Sequence, residues 1–110
     1  MNKAKRQRLE RAGWRIGSAE GFLGLSREEA AFVELKLGLA DNVRERRRAK
    51  GLTQGQLAKR LGSSQSRVAK MESADRSVSI DLLIRSLLAL GASRVELAKM
   101  IGGRRVRQAA

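Results

Sequence analysis

The chain contains no cysteine, no histidine and no proline, and its aromatic residues are only Trp14, Phe22 and Phe32. Without cysteine there can be no disulfide and no thiolate metal site. Without histidine the usual general base and the commonest zinc ligand are both missing, so an enzyme is a poor expectation and neither a metal nor a cofactor is expected. Without proline no position forces a helix to break through a lost N–H. The scarcity of aromatics means that the core must be built from Leu, Val, Ile and Ala. No apolar run approaches the ~18 residues of a membrane span. The basic start, MNKAKRQRLERAGWRIG, is not followed by the apolar stretch of roughly 7–15 residues that a secretory signal carries. A membrane partner is therefore not expected, and a cytoplasmic location is.

What the chain has in abundance is positive charge. Its 110 residues leave room for one compact domain with a short extension, and 24 Lys and Arg against 11 Asp and Glu give +13. Such an excess concerns partners more than fold, and nucleic acid is the obvious polyanion. The excess is unevenly placed: residues 1–17 carry +5, residues 18–43 carry −3, residues 44–76 carry +7 and residues 77–110 carry +4. An acidic block thus separates a basic arm from a basic body.

The pattern is helical, with no period-two runs of Val, Ile or Thr, so the expected fold class is all-α. Ser26 followed by Glu29 reads as a capping box that opens a long helix over 27–50. Phe32, Leu35, Leu39 and Val43 form its apolar stripe, Val33, Leu37 and Ala40 form a second one, and Gly51 stops it. Gly38 weakens this helix by up to ~1 kcal/mol relative to Ala, which allows a break or bend near 38–41. Thr53 caps a helix over 54–61 with Leu57, Ala58 and Leu61 inward, ended by Gly62. Ser63 or Ser64 caps the next, over 65–73, with Val68 and Met71 inward. Ser79 opens a helix over 80–90 with Ile80, Leu83, Ile84, Leu87 and Leu88 on the buried side. Ser93 with Glu96 makes a second capping box for a helix over 94–101. The expected organisation is a basic, partly disordered extension over 1–25, a domain over 26–101 and a disordered basic tail over 102–110.

Two short helices joined by Gly62-Ser63-Ser64 make a helix-turn-helix unit, in which glycine supplies the turn and small Ala58 allows close approach. In that geometry the second helix enters the major groove of DNA and presents Ser64, Gln65, Ser66 and Arg67, with Lys70 a turn further. Gln can bridge adenine N6 and N7, Arg can fork onto guanine, and Ser suits a base or a phosphate. Gln54, at the start of the preceding helix, is placed to hold a phosphate with that helix's N–H groups.

The run GLTQGQLAKRLGSSQSRVAKMES, followed by LLIRSLLALGAS, resembles the Xre/Cro (phage-repressor) helix-turn-helix family. Thr53-Gln54, Leu57-Ala58, Leu61-Gly62, Ser64-Gln65, Val68, Glu72 and Leu90-Gly91 fall where that pattern puts them. The resemblance implies a five-helix domain that binds a palindromic operator in double-stranded DNA as a homodimer. It also implies an ion pair between Arg47 of the first helix and Glu72 at the end of the recognition helix. Ala74-Asp75-Arg76-Ser77-Val78 departs from the Gly-Lys-x-x-Pro of some members. Ser66 stands where several phage repressors have a second glutamine, so their operators do not carry over.

Upstream, GWRIGSAEGFLGLSREEAAFVELKLGLADNVRERR resembles the N-terminal part of Xre-type antitoxins of type II toxin–antitoxin modules, the HigA-like group. That likeness implies a small RNase toxin as partner and autorepression of the operon, with a stand-alone phage-type repressor as the alternative. Trp14, Phe22, Glu28, Glu29, Val33 and Leu37 are the residues expected at a toxin interface. Trp14 could equally pack on the first long helix. A non-catalytic RNA-binding or nucleoid-type protein is disfavoured by the ordered Gln/Ser/Arg of the recognition helix. Leu90, Leu97 and Ile101 are candidates for a dimer interface.

Overall fold

The computed structural model describes residues 3–14 and 26–103. These residues form α1 (Lys3–Arg11), α2 (Arg27–Ala49), α3 (Gln54–Leu61), α4 (Gln65–Glu72), α5 (Ile80–Ala89) and α6 (Arg94–Ile101), with no strand among them. The all-α expectation holds.

Helix α2 is the spine against which α4, α5 and α6 pack. Its start is fixed by a complete capping box: Ser26 Oγ accepts from Glu29 N at 3.0 Å, and Ser26 N donates to Glu29 Oε1 at 3.3 Å. The helix does not break at Gly38, and α2 runs on for 23 residues. The buried neighbours Leu37, Leu39 and Ala40 outweigh a propensity deficit of ~1 kcal/mol.

The buried face of α2 also differs from expectation. Leu39 and Val43 are fully buried and Leu35 half-buried, but Phe32 is 48% exposed. Val33, Leu37 and Ala40, the second stripe, also lie in the core, and α1 docks on that side of the helix. Lys5 Nζ reaches Glu34 at 2.9 Å and Arg8 reaches Asp41 at 2.7 Å, while Leu9 and Ala12 are buried against the same cluster. The segment expected to be a partly disordered arm is therefore, over residues 3–14, a docked helix and turn. Residues 15–25, with Phe22 among them, and the tail over 104–110 lie outside the described residues.

In α5 the buried positions are Leu83, Ser86 and Leu87, with Leu90 at its C-cap, while Ile80 and Ile84 are half-buried and Leu88 is exposed. Ser86 lies inward with its hydroxyl donating to Leu82 O at 2.8 Å, and Leu88, two residues on, faces out. Two of the dimer candidates are spent inside the protomer: Leu90 is fully buried and Leu97 nearly so, leaving Ile101 exposed.

Candidate nucleic-acid interface

Helices α3 and α4 form the helix-turn-helix. Thr53 caps α3, accepting from Gln56 N at 3.0 Å and donating its own N–H to Gln56 Oε1 at 2.8 Å. The N–H groups of Gln54 and Gly55 are left without an intrahelical acceptor. Gly62 closes the helix in the left-handed conformation at φ 66°, and Ser63 N donates to Ala58 O at 2.8 Å. Ser64, not Ser63, is the N-cap of α4, its hydroxyl accepting from Arg67 N at 3.1 Å. This one hydroxyl thus holds the helix start as well as standing at the expected DNA face.

Val68 and Met71 anchor α4 in the core, whereas Gln65, Ser66, Arg67 and Lys70 are exposed. Among the described residues no hydrogen bond or ion pair engages those exposed side chains. The tip of Gln65 lies beside the start of α3: a methyl group built on Gly55 would sit 4.0 Å from Gln65 Oε1. The free N–H groups of α3 and the first residues of α4 therefore share one edge.

Behind that edge Arg47 and Glu72 are both buried and make a two-point ion pair, Nε to Oε2 at 2.5 Å and Nη2 to Oε1 at 3.0 Å. Arg47 Nη1 also donates to Leu52 O at 2.7 Å, so one guanidinium ties together α2, the turn before α3 and the end of α4. Its bond with Glu72 raises the arginine pKa above its ordinary value. Gln54, at the start of α3, also reaches this pair. Its Nε2 donates to Glu72 Oε1 at 3.2 Å, so the amide joins the Arg47–Glu72 cluster.

A second set of contacts, not legible in the sequence, joins the N-terminal segment to the far end of α4. Arg8 Nη2 donates to Glu72 O at 3.0 Å, Trp14 Nε1 to Ala74 O at 3.1 Å, and Arg76 N to Ala12 O at 3.1 Å. Ala74 is buried in the left-handed region at φ 57°, and this settles the shape of the turn that departs from the family pattern. Lys36 is buried beneath this turn, its Nζ donating to Arg76 O at 3.4 Å and lying 4.9 Å from the centre of the Trp14 ring. Burial pushes its pKa down, while nearby Asp75 acts in the opposite sense. Trp14 thus packs within the protein.

Of the residues expected at a toxin interface, Val33 and Leu37 are buried and Trp14 is half-buried. Glu28 and Glu29 are exposed on the first turn of α2. Among the described residues no cluster of His, Cys, Asp or Glu could hold a metal, and no helix is long and apolar enough to cross a membrane.

A glycine-closed pair of short helices, the second keyed into the core and polar outside, defines a helix-turn-helix protein. A family model described as helix-turn-helix matches residues 43–97, half of the chain, and the protein belongs to that family, of the Xre type. No curated protein and no solved structure matches it.

Proposed function

We propose that the protein is a transcriptional regulator that seats α4 in the major groove of duplex DNA and reads bases with Gln65, Ser66 and Arg67. The observation that carries this reading is the division of α4: its inner residues are held in the core and by the Glu72 cluster, while its outer polar side chains have no partner among the described residues. The N–H groups at the start of α3 supply a phosphate contact beside them. Family membership supports a homodimer on a palindromic operator, each copy placing one α4 in successive turns of the groove. Selection of binding sites from a randomised duplex pool tests the reading. A palindromic consensus is the expected result, and enrichment of no sequence would refute it.

The particular regulator we infer is the antitoxin of a type II module, and its supporting observation is a surface. Exposed Phe32 stands one turn from exposed Glu28 on the same side of α2, an apolar group with an acidic neighbour suited to a basic RNase. Deleting residues 1–25 would strip Leu9 and Trp14 from the core, so a surface variant is the better probe. Phe32→Ala with Glu28→Lys should abolish neutralisation of an RNase encoded beside this gene while leaving DNA binding intact. Full neutralisation by the variant, or the absence of any such neighbouring gene, would make the stand-alone repressor the better reading.

A further inference from the structure

A groove runs between α1, the C-terminal half of α2 and α4, and arginines dominate its lining, with the paired Arg47 and Glu72 and Gln54 also reaching it. Arg8 and Arg11 come from α1, and Arg44 and Arg48 from α2, while Ala69 and Ser73 of α4 line the same groove. Arg8 is engaged by Asp41 and the carbonyl of Glu72. Arg11, Arg44 and Arg48 are exposed, and among the described residues none has a carboxylate partner. Arg44 and Arg48 are one turn apart on α2, a like-charged pair that opposes folding. The groove therefore gathers unneutralised cations with no structural benefit to the chain alone.

Its position supplies the reason. Ala69 and Ser73 follow Gln65 at successive intervals of four residues, so the groove opens along the same side of α4 as the first base-reading residue. A DNA strand whose bases meet Gln65 has its phosphates passing along this side. Ala4 and Ala12 of α1 line the groove as well, and small side chains there leave room for a sugar-phosphate backbone.

We propose that this groove is a second phosphate-binding site, in which Arg11 of the N-terminal helix joins Arg44 and Arg48 on the DNA backbone flanking the bases read by α4. The proposal rests on the DNA-binding reading above and extends it to a helix outside the matched residues 43–97. Because Arg8 fixes α1 to the end of α4, the site holds a set distance from the recognition residues and fixes the register of the protein on its operator.

The test compares full-length protein with two triple variants of equal charge. One carries Arg11→Gln, Arg44→Gln and Arg48→Gln in the groove, and the other carries Arg85→Gln, Arg94→Gln and Lys99→Gln on α5 and α6. The probe is a random-sequence 30-base-pair duplex titrated across salt concentrations, with circular dichroism to verify the fold of each variant. Each phosphate contact contributes about 0.9 to the slope of log affinity against log salt, so the groove variant should lose about two to three units of slope and the control less than about one. Site selection with the groove variant should return the wild-type consensus at weaker affinity. Equal slope losses in the two variants, or no loss in the groove variant, would overturn the proposal while leaving base reading by α4 untouched. If the wild type itself fails to bind duplex DNA, the DNA-binding reading falls and this site falls with it.

Discussion

Helices α1 and α4 are both short and both basic, yet they use their charges in opposite ways. On α1, Lys5 and Arg8 are held by Glu34, Asp41 and the carbonyl of Glu72, and Leu9 is buried beneath them. On α4, Arg67 and Lys70 stand outside without side-chain partners among the described residues, and the helix is anchored by Val68, Met71 and Glu72 instead. A count of cations therefore does not locate an interface. A cation that already has its carboxylate is part of the fold, and one held out in solvent beside an ordered polar row is available to a ligand. Lys3, Arg6 and Arg11 of α1 have no carboxylate partner among the described residues, and of these three Arg11 is the one that lines the groove.

The sharpest break in this contrast should come at the anchor of α4. Glu72→Ala leaves the buried Arg47 guanidinium with only Leu52 O, at a cost of about 3–5 kcal/mol in denaturant unfolding. A domain of this size has roughly 5–15 kcal/mol in total, so the variant should be close to unfolding at 37 °C. A double-mutant cycle with Arg47→Ala should show strong coupling, and additive losses would show that the pair does no more than fill space.

Next in size is Leu9→Ala, which probes whether α1 belongs to the core. Leu9 is 1% exposed, and removing it should cost about 2–4 kcal/mol. A loss below about 0.5 kcal/mol, the range of ordinary surface changes, would mean that α1 is only loosely attached.

On α4 the balance should reverse. Gln65→Ala or Arg67→Ala should weaken operator binding by about 1–3 kcal/mol and relax preference at one base position. Stability should move by no more than about 0.5 kcal/mol, because neither side chain holds a partner within the described fold. Thermal melts and binding isotherms on the same samples separate the two effects.

Two smaller tests concern ion pairs near the surface. Arg46, beside Arg47 on α2, pairs with Glu96 of α6 in a partly exposed site, and Glu96 is also held by Ser93 in the capping box. Arg46→Ala should lower the melting temperature slightly in dilute buffer, and the difference should vanish in 1 M salt, where the Debye length is about 3 Å. The Arg47 and Glu72 variants should show no such rescue. Asp75 gives the smallest effect. The hydroxyl and N–H of Ser77 hold its carboxyl below the usual range. Its contribution to stability is therefore complete above the ordinary value of about 4 and is lost as pH falls through the lower folded-state value. Asp75→Asn should flatten the loss of stability with acid in that window and change nothing at neutral pH beyond a constant offset.

Much of the helix-turn-helix was legible because its signals are local. Ser26 with Glu29, Thr53, Ser79 and Ser93 with Glu96 cap the helices at the expected places, and Gly62 takes the left-handed turn. The pairing of Arg47 with Glu72 followed from register in a known pattern. Exposure on α2 and α5 was harder to read, since a helix with two apolar stripes does not say which one its neighbours will cover. Periodicity puts Phe32 and Leu88 inward and both lie outside, while Lys36 and Ser86, polar by type, lie inside with their hydrogen bonds made.

The amino-acid sequence by itself determined helices α2 to α6, the turn between α3 and α4, and the polar row that α4 presents, because caps, left-handed glycines and apolar spacing act over a few residues. Only the tertiary structure decided that α1 is part of the body, that Trp14 closes over Lys36 and the Ala74 turn, that Gln54 faces Glu72, and that Arg11 joins Arg44 and Arg48 along one groove. Those outcomes depend on contacts between residues up to 64 positions apart, as for Arg8 and Glu72. Which of several polar or apolar groups gains such a partner is set by the competition for burial in three dimensions, and no short-range pattern records its result.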